Sequence, residues 1–208
     1  MSPSLSDLGF SEGVVVEVIA STVDGEGRAN LSAMGATLEG GRLALRPFKS
    51  TRTYWNLVST GEVVLNITDD PALFAYAALK IPCAEVELEP SRTVRPPRLK
   101  GARGFVEARV EEVVEGEERA VVKCRPLLVE ASLAPARAYC RALPAAIEAV
   151  VHASRIEARA RRGEDVGELI RLIGHYRELV NRVAPNTHYR RVVEEVWRWS
   201  LSKAGRGF

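Results

Sequence analysis

The chain has 208 residues, 46% hydrophobic and 27% charged, with a formal net charge of +2. This length suits one large domain or a domain with a smaller appendage, the apolar content is ordinary for a globular core, and the near balance of charge argues against a general nucleic-acid binder. The three cysteines, Cys83, Cys124 and Cys140, are too scattered for a disulfide framework or a zinc knuckle, so each is expected as a free or buried thiol. No apolar run reaches membrane-spanning length, and the opening MSPSLSDLGF lacks the basic and apolar regions of a signal peptide. A soluble, cytoplasmic protein is therefore expected. Gln is absent, Met is scarce, and Arg, Glu and Val are abundant, a weak sign of a thermophile.

In chain order, residues 13–22 (GVVVEVIAST) are β-branched and read as a strand. Asp24-Gly25-Glu26-Gly27 is a turn signal, and residues 28–38 return as a second strand rich in small side chains. Gly35 within it suggests close approach by a ligand or another backbone. After Glu39-Gly40-Gly41, a third strand over 42–46 runs into LRPFKSTRTYWNL (45–57). That stretch sets Arg46, Lys49 and Arg52 among the hydroxyls of Ser50, Thr51 and Thr53, where a short amphipathic helix begins. Cations, hydroxyls and free helix-start amides can together hold a phosphate. On these residues alone, an ordinary helix cap beside solvated cations is an equal reading.

Thr60-Gly61 ends that helix and residues 62–67 (EVVLNI) form a fourth strand. Asp69-Asp70-Pro71 caps a second helix that runs to about Lys80, where Pro82 breaks it. Residues 84–88 read as a fifth strand, and 89–103 as a solvated loop with Arg92, Arg95, Arg98, Lys100 and Arg103, which could also close over an anion. Residues 104–114 and 119–129 form a long hairpin about Gly116. From Pro135 the texture becomes helical, over 136–162, 165–183 and 188–204. Residues 137–208 carry 14 Lys+Arg against 8 Asp+Glu, whereas the preceding 136 carry 15 against 19. The regular strands and turns suggest a barrel over 1–134, followed by a helical extension over 135–208. The tail's apolar stripes are expected to pack on the barrel or on a partner chain, with its arginines wet.

Three segments within residues 14–80 resemble the FMN-binding split-barrel flavoproteins, the superfamily of flavin reductase-like proteins and pyridoxamine phosphate oxidases. They are IASTVDGEGRANLSAMG, matching the first hairpin, STRTYWNL, matching the phosphate-binding turn and helix, and STGEVVLNI, matching the strand that follows. In detail the chain looks most like an uncharacterised, largely archaeal family whose barrel carries a C-terminal helical extension. LPAAIEAVVHASR (143–155) and ELVNRVAPNTHY (178–189) resemble that extension. The implied fold class is α+β, an antiparallel Greek-key split β-barrel followed by a helical bundle. Met34-Gly35 stands where the family usually has a Pro, and no catalytic acid or base of a defined reductase is recognisable.

The resemblance implies FMN as cofactor. Its phosphate would rest on Ser50, Thr51, Arg52 and Thr53, with Arg46 or Lys49 as a second cation. The flavin ring would lie along Asn30, Leu31, Ser32, Ala33 and Met34, unless these small residues only pack on the neighbouring strand. Asn56 and Asn66 would reach the phosphate or ribityl chain, or, for Asn66, merely satisfy a strand end. Trp55 is expected in the core more readily than over a ring face, and Trp197 and Trp199 as packing residues. His152, His175 and His188 show no metal-site spacing. Cys83 reads as a small buried hydrophobe. The expected protein is a homodimer with flavin near its interface, a flavin-dependent oxidoreductase acting with an unnamed small-molecule electron donor or acceptor. Neither a membrane nor a nucleic acid is an expected partner. The alternatives are a deazaflavin-dependent reductase and a non-catalytic binding or assembly module.

Overall fold

Alternation of apolar and small residues, cut by glycine turns, builds the first sheet segment. Strand β1 (Val16–Val23) turns through Asp24-Gly25-Glu26-Gly27 into β2 (Ala29–Glu39), and Gly40-Gly41 leads into β3 (Arg42–Leu45). The computed structural model describes residues 3–68, 70–80, 85–131, 138–153 and 155–204. Helix α1 (Arg52–Thr60) stops at Gly61, whose φ of 70° lets its N–H close back on the Leu57 carbonyl. Strand β4 (Glu62–Ile67) and helix α2 (Pro71–Leu79) follow. Pro71 stands first in that helix, as expected, while Asp69 lies outside the described residues. Next come β5 (Leu88–Glu89), β6 (Arg98–Leu99), β7 (Gly104–Glu115) and β8 (Ala120–Ala131).

The strands close into an antiparallel barrel in the order β1-β2-β3-β8-β7-β4. Cross-strand partners share a face. Registers Ala20↔Leu65, Leu65↔Val106, Val16↔Ala36, Ala36↔Leu45 and Leu45↔Val122 therefore define one lining, and all of these residues are fully buried. Pro126 is tolerated inside β8 because it stands opposite a register shift at Glu107/Ala108. Gly35 has no room for a Cβ, which would sit 2.7 Å from Val15 Cγ1. A close approach at this position is made by the Val15 side chain.

The structure revises two segments. Of the expected strand at 84–88, Ala84 lies outside the described residues, and pairing involves only Leu88–Glu89 with Arg98–Leu99, a separate two-stranded ribbon within what reads as loop. The loop cations are not a free basic lid. Arg92 bonds Glu130, Arg95 Nε bonds Glu62 at 2.9 Å, Arg98 bonds Glu89 at 3.0 Å, and Lys100 bonds Glu87 at 2.5 Å. The fully buried Glu107 carboxylate anchors this loop by accepting from Arg92 N, Thr93 N and Thr93 Oγ1.

The chain divides into two compact units after Tyr139. The expected boundary at 134/135 lies outside the described residues. Tyr139 still belongs to the first unit because its carbonyl accepts from Glu17 N at 2.6 Å, while Ala138 N–H donates to Leu8 O. In the second unit, the single helix expected over 136–162 is two helices, α3 (Ala142–Ala153) and α4 (Ile156–Arg161). These are followed by α5 (Gly167–Val183) and α6 (His188–Ala204). Buried Ala142, Ala145, Ala146, Ala149 and Ala153 make one small-residue face of α3, which packs on α5. Trp197 lies against Gly174, where a Cβ would sit 3.3 Å from its ring. Arg177 and Asn181 bond Glu194 beside it, so Trp197 is a packing residue of this unit. Trp199 is 39% exposed. Among the described residues no helix is long and apolar enough to cross a membrane.

Candidate functional site

Thr51 caps α1 in extended backbone; its hydroxyl accepts from Tyr54 N at 3.3 Å and donates to Phe48 O at 2.7 Å. The three cations of this segment then diverge. Arg46 donates to Thr37 Oγ1 at 2.8 Å and to Glu39 at 2.6 Å, and that guanidinium holds the Glu39 carboxyl below the ordinary range. Lys49 bonds Glu115 at 3.0 Å and the Gly116 carbonyl at 3.4 Å, at the tip of the β7–β8 hairpin. Tyr54 OH donates to the same Glu115 at 2.6 Å. Arg46 and Lys49, the two candidates for a second phosphate cation, are thus each paired with a carboxylate. Arg52 is exposed and meets no carboxylate among the described residues.

Beside Arg52 a hydrogen-bonded cluster joins β1, β2 and α1. Asn30 Nδ2 donates to Thr53 Oγ1 at 3.1 Å, and Asn56 Nδ2 donates to Thr22 Oγ1 at 3.0 Å. Thr22, Thr53 and Asn56 are buried, so the floor of this region is rigid and polar. Above it an open cleft of about 370 Å³ is lined by Asp24, Arg28, Ala29, Asn30, Arg52, Trp55 and Asn56. Asp24 and Arg28 close one wall as a 2.7 Å ion pair, and Arg28 holds the Asp24 carboxyl below its usual range. Trp55 is 61% exposed. The expectation of a core tryptophan is therefore corrected: its ring stands at the cleft, edge-on to buried Tyr54 at 5.1 Å.

The remaining sequence candidates fall along β2. Residues 29–36 pair with β1, but pairing with β3 covers only Ala36–Glu39. The stretch 29–35 therefore keeps one main-chain edge without a strand partner among the described residues. Asn30, Ser32 and Met34 share a face with Thr22, Ala20 and Val18. Leu31 and Ala33 point the other way, into a cluster with Ile19, Ala77, Leu99 and the α2 residues Leu73, Phe74 and Tyr76. The side chains of Leu31 and Ala33 are therefore packing residues, and of their main chain the Leu31 carbonyl already accepts from Lys80 Nζ. Ser50 is exposed at the start of the turn.

Asn66 is fully buried, its Nδ2 donates to Ile19 O at 2.9 Å and Ser21 Oγ at 3.0 Å, and its Oδ1 accepts from Leu99 N at 2.7 Å. It ties β4 to β1 and β6, and both of its Nδ2 hydrogens are used within the fold.

One residue escaped the sequence reading. Lys80, directly after α2, donates from Nζ to Leu31 O at 2.6 Å and to Ala77 O at 3.2 Å. It has the one left-handed backbone of any non-glycine among the described residues, with φ 59°. Burial and the nearby charge of Arg52 lower its pKa. A lone lysine ending the apolar PALFAYAAL helix was the available signal. Cys124 is buried and its thiol is pushed up to about 12, so it is inert; Cys83 lies outside the described residues. No cluster of metal-ligating side chains occurs among the described residues.

The model of the N-terminal domain of the protein of unknown function DUF447 matches residues 16–132, and a second DUF447 model matches residues 140–196. An FMN-bound DUF447 protein from Methanosarcina mazei is similar at 26% identity and a TM-score of 0.54, over 94% of this chain and all of that one. Flavoredoxin of Desulfovibrio vulgaris is similar at 17% identity and a TM-score of 0.50, covering 64% of this chain and 78% of that one. Nitrilotriacetate monooxygenase component B from Bacillus cereus is similar at 17% identity and a TM-score of 0.51, covering 61% and 73%. These last two likenesses show the fold, a split barrel. No curated protein matches.

Proposed function

Because the chain belongs to the DUF447 family, with both of its domain models matched in order, we propose that it is an FMN-binding flavoprotein acting as an oxidoreductase. One observation carries the reading: Arg52, a cation with no carboxylate partner among the described residues, stands at a polar cleft beside a strand edge without a strand partner there. The FMN-bound relative from Methanosarcina mazei, similar over nearly the whole chain, supports the same cofactor.

The donor set suits such a group. Arg52 would hold the phosphate, with the Ser50 hydroxyl and the free amides at the α1 start. The rigid Asn30–Thr53 and Asn56–Thr22 pairs would keep the cleft floor in place. The open main-chain edge of 29–35 would present alternating N–H and C=O groups to the polar rim of a flat ring. Trp55 would cover an aromatic surface from outside. When bound, FMN supplies hydride or electron transfer, and the chain supplies position and electrostatics.

The proposal includes a homodimer with the flavin near its interface. The exposed Trp55 at the cleft and Val58 one turn further along α1, 61% and 47% accessible, support a partner covering that side.

The visible spectrum of purified protein, with mass analysis of any released chromophore, tests the cofactor. The expected result is a two-band flavin spectrum and the mass of FMN. A single-band deazaflavin spectrum would replace it with the rival cofactor. Colourless protein that takes up no added flavin would favour a binding or assembly module.

A further inference from the structure

The residue after α2 carries two features that its fold alone does not require. Lys80 closes the helix, its N–H donating to Tyr76 O at 2.9 Å. Its φ of 59° is the left-handed conformation that helix ends ordinarily give to glycine. A side chain in that conformation is strained, and strain of this kind concentrates at ligand-holding positions. The second feature is where the side chain goes. Nζ reaches β2 and donates to Leu31 O at 2.6 Å, beside Asn30 of the cleft. An ammonium has three donors, and two are used, on Leu31 O and Ala77 O.

Arg52 is near enough that its charge acts on Lys80, and neither meets a carboxylate among the described residues. Two like charges that act on each other without an anion are relieved when an anion binds between them. Three other cations of the cleft and the turn before α1 are matched to carboxylates: Arg28 to Asp24, Arg46 to Glu39 and Lys49 to Glu115.

We propose that Lys80 is the second cation of the cofactor site, clamping a phosphate dianion together with Arg52 at the open edge of β2. This rests on the FMN reading and deepens it. The lysine takes the place of a second cation while Arg46 and Lys49 are paired with carboxylates, and it makes the site select flavins that carry a phosphate. The remaining donor would meet the anion, while the other two fix the ammonium between the Leu31 carbonyl of β2 and the Ala77 carbonyl of α2. The strained backbone is retained because glycine there would lose the charge.

The test is Lys80→Gly, with Lys80→Met as a second variant that keeps the stem but not the charge. FMN and riboflavin affinities and the thermal midpoint of ligand-free protein are measured for each. Lys80→Gly should leave the midpoint equal or raised, weaken FMN by about tenfold, and leave riboflavin unchanged. Lys80→Met should lose FMN affinity to a similar extent. Wild-type FMN affinity in both variants would overturn the clamp while leaving the FMN reading intact. So would a parallel loss of FMN and riboflavin with a lowered midpoint, which marks a structural lysine. Wild-type protein that binds no FMN would overturn both readings.

Discussion

Replacing Arg52 with alanine will weaken FMN binding by about ten- to a hundredfold and leave riboflavin binding and folding unchanged. A hydrogen bond to a charged group contributes about 1.5–3 kcal/mol, and each 1.4 kcal/mol is roughly tenfold in affinity. Nothing in the fold depends on this side chain, because it is exposed and holds no partner among the described residues. Arg46→Ala is the control. Its guanidinium is tied to Thr37 and Glu39. Those partners lie seven and nine residues along β2 from Asn30, roughly 23–30 Å at about 3.3 Å per strand residue. FMN affinity of Arg46→Ala should stay within about twofold of wild type, since loss of one partly exposed ion pair changes stability by at most about 1 kcal/mol. Titration of both variants checks this. Equal FMN affinity in Arg52→Ala and wild type would remove Arg52 from the site.

Replacing Asn66 with alanine will destabilise the barrel by about 2–4 kcal/mol, because it strands several buried groups at once. The Leu99 N–H loses its acceptor, and the Ile19 carbonyl and Ser21 hydroxyl lose a donor, in a region where Ser21 and Ile19 are fully buried and Leu99 is 2% exposed. No water can replace a side chain amide there without room of its own. Urea unfolding followed by near-UV circular dichroism reads the loss as a lower midpoint. The folded fraction should bind FMN as wild type does. A stable variant with weakened FMN binding would make Asn66 a ligand contact instead.

These two residues show where the sequence was legible. Local signals sufficed where the cause is local. The Asp24–Gly27 turn, the Thr51 cap, the Gly61 stop and the β7–β8 hairpin all follow from short-range geometry. The anion stretch was visible as a run of cations and hydroxyls. Its partition was not, because the partners are remote in sequence: Lys49 finds the Gly116 carbonyl 67 residues later and Glu115 beside it, and Arg46 finds Glu39 across a turn. Asn66 depends on Leu99, 33 residues later. Trp55 sits on a helix whose inner face is already filled by Tyr54 and Leu57, which turns the tryptophan outward. Lys80 depends on a backbone angle that no side chain pattern announces. The break between α3 and α4 falls in an alanine- and arginine-rich run with no glycine or proline to mark it.

Calorimetric titration of the flavin-free protein with FMN and with riboflavin tests the central claim most directly. The two ligands differ only in the phosphate, so their affinity ratio reads the site that Arg52 dominates. The account predicts FMN binding at least about tenfold tighter, the worth of one charge-assisted contact. Equal affinities for the two flavins would contradict it.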